Sequence, residues 1–436
     1  MYSYNSIRSK SLKRQDYLVL FSIYLGGFMN SLVDFLKELV SIKTELRIED
    51  GRVIRENYEK AAEFIASTAE KLGLKTETVV FEDNFGKVPV VLIEPRDVNA
   101  EESIALVSHY DVVPAKGPWV VEGREVDPYE PLLVNGKLYG RGAADDKSAI
   151  AASIYALKEA VDEGRKFKFK PVLVIAGDEE GGPLGIKTLL DKGFKWDKAV
   201  ILDASAEYLS IGASGVIHGW VRVFGKSGHA GYPHLSENAV SKLVKVISFI
   251  QEKYGSVRCG RISRYPSPPG SPLPNLWGRF NFTILKLGEN EVEKHNVIPG
   301  EAVAGFDARL LPEEDVEEAV RELISFFSRA FSEYGVRGCV EIIAKLRGWY
   351  TTDEKLKEEA VKSMEKAINT AGLNQEVKIA AELGGNDGTF FFLKGIPVVA
   401  LGAIRSENNI HSDNEFVYIR DVEFLKEFVK ALVTEG

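Results

Sequence analysis

The chain has 436 residues, of which 45% are hydrophobic and 27% charged, so it is too long for one ordinary core and too apolar to be disordered. A net charge of −9 leaves no basic footprint for nucleic acid. Its two cysteines, Cys259 and Cys339, exclude a disulfide framework or a thiolate zinc site, so a metal would have to be held by histidine and carboxylate, and a reducing cytoplasm is the expected location.

Arg8, Lys10, Lys13 and Arg14 precede the apolar stretch "YLVLFSIYLGGFM", Tyr17 to Met29. It is too short to span a bilayer, and no small-x-small cleavage site follows it. Residues 1–29 are read as an N-terminal extension, either non-native or signal-like, and no membrane association is expected. In "NSLVDFLKELVSIKTE", Asn30 or Ser31 can cap a helix that carries Leu32, Phe35, Leu36 and Leu39 on one face.

A second helix is predicted from Tyr58 to Leu72. The short apolar runs "VPVVLIEP", "SIALVSH", "PVLVIAG" and "AVILDAS" follow, with helical stretches between the later ones. This is the pattern of an α/β domain with a mainly parallel sheet. The texture changes near Gly215: "GVIHGWVRVFG", "RFNFTILKLG" and "AVAGFDARLL" read as longer alternating strands, with helices near Ser236 to Tyr254 and Glu314 to Tyr334. After about Lys345 the first texture returns in a helix from Asp353 to Ala371, strands "VKIAAE" and "PVVALG", and a last helix from Arg420. The expected organisation is an outer α/β domain, residues 30–213 and 345–436, interrupted by an inserted α+β domain, residues 214–344. "YPSPPGSPLP", Tyr265 to Pro274, reads as a loop.

Acids and histidines collect where the outer-domain strands end. "SIALVSH" delivers His109 and Asp111, "PVLVIAG" runs into Asp178, Glu179 and Glu180, "AVILDAS" carries Asp203, and "PVVALG" leads to His411. "LYGRGAADDKS" adds Asp145 and Asp146 at a helix start. Ligands of open α/β sheets bind beyond strand ends, so these residues can converge. Crowded carboxylates need a cation between them. Histidine and carboxylate suit zinc or a related divalent ion, and two such ions around a shared Asp form the arrangement that clamps a hydrolytic transition state. Singly, each residue has a plain structural use, and the acids at a helix start favour the macrodipole without any metal. "GRGAAD" is no dinucleotide fingerprint, because Asp145 stands where the third glycine belongs and would repel pyrophosphate. "GKS", Gly225 to Ser227, lacks the upstream glycine of a phosphate loop.

"SHYDVVP", "LYGRGAADDKS", "GDEEGG", "ILDAS", "GKSGHAGYP", "NVIP", "DAR" and "IHSDNE" occur here in one order. From about Asn30 to its C-terminus the chain resembles the dinuclear zinc hydrolases that include acetylornithine deacetylase, succinyl-diaminopimelate desuccinylase, aminoacylase, glutamate carboxypeptidase and related dipeptidases. The resemblance implies a zinc-peptidase-like catalytic domain and an inserted lid and dimerisation domain. It implies that His109 and Asp203 bind one metal, His411 and Glu180 the other, and that Asp145 bridges them; zinc is expected, with cobalt or manganese as alternatives. Asp111 would orient His109, and Glu179 would be the general base. His229, in "SGHAG", would reach a partner's active site and stabilise the oxyanion, which implies a homodimer. Asn296 and Arg309 match positions that contact substrate.

Two departures bear on the substrate. Thr389 stands where desuccinylases commonly carry an Arg, and Ser148 replaces the usual Gly after "DDK". The expected activity is hydrolysis of the amide bond of N-acyl amino acids, with a dipeptidase or carboxypeptidase as the alternative. A catalytically dead binding protein is disfavoured by the retention of Glu179 and all five ligands, and an oxidoreductase by the broken fingerprint.

Overall fold

The structure, a computed structural model, describes residues 31–49, 52–182 and 184–435. The extension read at residues 1–29 lies outside them. Among the described residues no helix is long and apolar enough to cross a membrane.

The first helix, α1 (Leu32–Ser41), is capped by Ser31, whose hydroxyl accepts the Asp34 N–H, and it buries Leu32, Phe35, Leu36 and Leu39. Helix α2 (Tyr58–Lys71) leads into strands β1 (Lys75–Asp83), β2 (Gly86–Glu94) and β3 (Ser103–His109). Helix α3 (Lys147–Asp162), β4 (Lys170–Ala176), α4 (Ile186–Asp191), β5 (Lys198–Ile201) and β6 (Leu209–Ala213) follow.

The chain then builds a second sheet from β7 (Gly215–Phe224), β8 (Arg279–Leu287), β9 (Glu301–Leu310) and β10 (Arg337–Leu346), with helices α5 (Ala239–Phe249), α6 (Ser256–Cys259) and α7 (Val316–Glu333). It returns through β11 (Trp349–Tyr350), α8 (Glu354–Thr370), β12 (Ile379–Glu382), α9 (Gly388–Leu393), β13 (Val398–Ala400) and α10 (Ile419–Val433).

The large sheet has nine strands in the order β11-β6-β13-β5-β3-β4-β2-β1, with β12 beside β6. Its centre, β13-β5-β3-β4, is parallel, while β2, β1 and β11 join antiparallel. Helices cover both faces, which is why β3 and β4 read as unbroken apolar runs. Successive residues pack on opposite sides: Leu106 and Leu173 join Leu36, Ile150 and Leu425, whereas Val107 and Val174 join Leu189 and Phe391.

The second sheet is antiparallel, in the order β8-β9-β7-β10. Every other residue of β7 is buried, because one face carries the core of Ile217, Val221, Phe306, Leu243, Leu323 and Phe327 under α5 and α7 and the other does not. The helix predicted from Ser236 starts later, at Ala239, because the Asn238 side chain caps it through the Ser241 N–H. The chain leaves and re-enters the large sheet side by side, with Ala213 paired to Trp349. A Cβ on Gly215 would lie 2.6 Å from Gly348 N, so this crossing depends on glycine.

Candidate active site

Four adjacent parallel strands aim their C-terminal ends at one place. His109 is the last residue of β3, Glu179 and Glu180 follow β4, Asp203 follows β5, and His411 lies in the loop after β13. Asp145 arrives from the loop before α3. His109 Nε2 lies 3.0 Å from Asp145 Oδ1, and His411 Nε2 lies 3.1 Å from Asp145 Oδ2. The two imidazoles thus face opposite oxygens of one carboxylate. Asp203 Oδ2 is 3.9 Å from His109 Nε2, and Glu180 Oε2 is 3.2 Å from His411 Nε2. Donor atoms of His109, Glu179 and Asp203 all lie within 4.8 Å of one another, as do those of His109, Asp145 and Glu180.

Asp111 touches His109 twice. Its backbone carbonyl is 3.0 Å from Nδ1, and its carboxylate 3.4 Å from the same atom. Because a carbonyl can only accept, Nδ1 carries a proton and Nε2 is turned toward Asp145. The same carboxylate accepts the N–H groups of Glu179 and Glu180, at 3.3 and 3.1 Å.

The electrostatics show an excess of negative charge. Burial and the repulsion of Asp145 push Asp203 up to about 8, and burial pushes Asp387 up to about 7. Burial raises Glu179 well above the usual carboxyl range, and raises Glu180 as well. Burial opposes ionisation of Asp145, but contact with both imidazoles outweighs it and holds this carboxyl well below its ordinary value. Those contacts raise His411 to about 10. Burial works against a charged His109, yet Asp111 and Asp145 keep it raised. Two histidines do not balance these acids, whereas divalent cations among imidazole and carboxylate donors would. The donor set fits metal.

Asp145, Glu179, Glu180, Asp203 and His411 line a cleft of about 710 Å³, a size suited to a small-molecule substrate. The other walls are Glu207, Tyr208, Asn386, Arg405 and, from the inserted domain, Pro268 to Pro272. The latter loop is held near the large sheet by Tyr265, which stacks on Tyr350 at 5.6 Å.

Peptidase family M20/M25/M40 matches the chain over residues 105–435. The chain belongs to this family. As an M20 protein it is a metallohydrolase acting on amide or peptide bonds. It is 30% identical over 372 residues to an uncharacterized metallohydrolase of Methanocaldococcus jannaschii, covering 81% of this chain and 82% of that relative. It is 28% identical over 410 residues to the succinyl-diaminopimelate desuccinylase of Thioalkalivibrio sulfidiphilus, covering 91% and 96%. The fold is that of an M20 metallo-carboxypeptidase from Sulfolobus solfataricus, with a TM-score of 0.73 at 19% identity over 93% of this chain and 99% of the other. Both sheets described above are accounted for by this likeness.

Within this M20 fold the remaining predicted residues lie apart from the cleft. His229 is exposed on the inserted domain, where its Nδ1 accepts the Gly231 N–H at 3.0 Å and its ring lies 5.6 Å from Tyr232. Asn296 is its neighbour, since its carbonyl accepts the Ala230 N–H. Arg309 stands on β9 in a two-point contact with Asp307, 3.0 Å at each oxygen. None of the three lines the cleft.

Asp178, adjacent to the site acids in sequence, is turned away: Arg55 grips both its oxygens at 2.8 and 2.7 Å. Thr389 is buried and donates to the Arg347 carbonyl, and the Ser148 hydroxyl donates to the Ala144 carbonyl.

Proposed function

We propose that this chain is a metal-dependent deacylase that hydrolyses the amide bond of N-acyl amino acids. The observation that carries the reading is the placement of His109 and His411 on opposite oxygens of Asp145, with Asp203 and Glu180 beside them. His109 and Asp203 would hold one divalent ion, and His411 and Glu180 a second, with Asp145 shared; zinc is the preferred ion, and cobalt or manganese suit the same donors. When bound, the ions would supply Lewis-acid polarisation and a lowered water pKa.

Glu179 takes the proton from the attacking water and returns it to the leaving nitrogen. Its support is position: it lines the cleft beside His109 and Asp203, and Asp111 holds its backbone N–H. Asp111 fixes the His109 ring. Asn296 and Arg309 would meet the substrate.

His229 acts on a second copy of the chain. Support comes from its exposure and its absence from its own cleft wall. The edge strand β8 exposes Ile284 and Leu285, and Leu285 with the exposed Val244 of α5 lines a groove of about 520 Å³ on the inserted domain. An unpaired apolar edge of this kind favours pairing between copies, and a homodimer through this domain is the assembly we propose.

The relative at 28% identity named as a desuccinylase favours a deacylase. The buried Thr389 supplies no cation for a succinyl carboxylate, so a generic acyl group is preferred to succinyl. A cleft of about 710 Å³ has room for a short peptide as well, so a dipeptidase or carboxypeptidase is the second reading. A hydrolysis panel of N-acetyl and N-succinyl amino acids against dipeptides, with added zinc, cobalt or manganese, tests this. Faster turnover of N-acyl amino acids is expected; turnover of dipeptides alone would replace the first reading with the second.

A further inference from the structure

Glu415 is almost wholly enclosed, with 1% of its surface exposed, and its hydrogen bonds run to one loop, residues 140–145. Its Oε1 accepts the N–H groups of Ala144 and Asp145 at 3.0 and 3.2 Å. Its Oε2 accepts the Gly142 N–H at 3.1 Å and Arg141 Nη1 at 2.6 Å. The Glu415 backbone carbonyl accepts the Gly140 N–H at 3.0 Å, and Arg141 Nη2 donates back to the Ser412 carbonyl at 3.1 Å. Directly after Glu415, Phe416–Tyr418 pairs antiparallel with Lys137–Tyr139, directly before the loop.

The strand pairing sets these two chain segments side by side, and the carboxylate fixes the loop between Gly140 and Asp145 against the segment that carries Glu415. One carries Asp145 and the other His411, whose side chains meet at 3.1 Å. A carboxylate can accept all of these donors at once, whereas an amide in its place would turn an N–H₂ group toward N–H donors. Three oriented backbone N–H groups and a guanidinium also satisfy a buried charge that would otherwise be costly.

We infer that Glu415 is a positioning residue: it sets the separation of Asp145 and His411 and thereby the affinity of the site for divalent metal. The inference rests on the reading of those two residues as metal ligands. Glu415 touches neither substrate nor the donor atoms, so its effect passes through the Asp145 loop. Groups that orient ligands from behind typically change metal affinity by about 10- to 100-fold when removed.

The test uses the full chain, stripped with a chelator and titrated with divalent cobalt, with visible absorption and chelator competition as readouts and far-UV circular dichroism as the check of folding. Folded Glu415→Gln is expected to bind cobalt about 10- to 100-fold more weakly than wild type, with an altered cobalt spectrum. Wild-type affinity and spectrum in that folded variant, even with a lowered melting temperature, would overturn the inference. Asp145→Asn separates the two failures. If it loses cobalt while Glu415→Gln does not, only the positioning role falls; if it too binds like wild type, the ligand reading falls. Should Glu415→Gln not fold, Arg141→Gln replaces it, with weaker binding expected and wild-type affinity overturning the inference.

Discussion

Asp111 and His109 form the pivot of the site: the Asp111 carboxylate lies 3.4 Å from His109 Nδ1 while accepting the N–H groups of Glu179 and Glu180. One side chain thus orders a proposed ligand and the loop of the proposed base. Asp111→Ala should weaken metal binding by roughly 10- to 100-fold and also lower turnover at saturating metal, since both groups lose their support. Metal titration with parallel steady-state kinetics checks this. A variant with wild-type values in both would remove Asp111 from the account.

The adjacent acids should separate by function. Glu179→Gln is expected to keep near-normal metal content while turnover falls by roughly 10²-fold or more, because a general base acts on protons. Glu180→Gln should lose metal as well. Elemental analysis beside activity distinguishes them, and full activity in Glu179→Gln would show that the base lies elsewhere.

The inserted domain has its own acid-sensitive element. Arg258 is fully buried, and its guanidinium meets both oxygens of Glu314 at 2.8 and 2.6 Å, with Arg261 at 2.7 Å. Burial opposes the charged carboxylate, but these guanidiniums and the Leu311 N–H outweigh it and hold Glu314 below its ordinary value of 4.5. A depressed folded-state value means that the pair's stabilisation is present above the unfolded value and is lost as pH falls through the folded one. Glu314→Gln should cost about 3–5 kcal/mol at neutral pH, because Arg258 is left buried without its carboxylate, and the loss should shrink as pH falls below the ordinary glutamate value of 4.5 and through the lower folded-state value. Urea unfolding across pH measures it; a constant difference down to acid pH would contradict the assignment.

The proposed exchange of histidines is tested by mixing. His229→Ala and Glu179→Gln chains should each be nearly inactive, but a heterodimer contains one complete site, with the base from the first chain and the histidine from the second. Coexpression should restore about half the wild-type turnover per heterodimer, as expected of a twofold interface. Demonstrated heterodimers without recovery would mean that His229 serves its own chain or has no catalytic part.

The α/β fold and the grouping of His109, Glu180 and Asp203 were legible because each sits at or just after the end of an apolar run, and strand ends of a parallel sheet share one edge; Asp145 was legible as an acid at a helix start, and His411 as a histidine in the loop that follows β13. "GDEEGG" could not show that Asp178 belongs to Arg55 while its neighbours face the cleft, because Arg55 is far away in sequence. Glu415 was visible only as the last letter of "IHSDNE"; apart from Arg141, which is far away in sequence, its partners are backbone N–H groups, which leave no trace in residue type. The loop expected from Tyr265 to Pro274 begins at Ser267, because Tyr265 and Pro266 end a short strand, Ile262–Pro266, paired with Asn275–Trp277; its place on the cleft wall depends on packing of Tyr265 against Tyr350, which periodicity does not encode.

The most direct measurement is the metal content of purified protein, wild type and Asp145→Asn, after equilibration with zinc and removal of loosely bound ions. About two ions per chain are expected in the wild type, with hydrolysis lost on chelation and recovered on adding zinc or cobalt, and both ions should be lost or severely weakened in Asp145→Asn. Wild-type protein holding no more than trace metal, with no response to added zinc or cobalt, would contradict the dinuclear account.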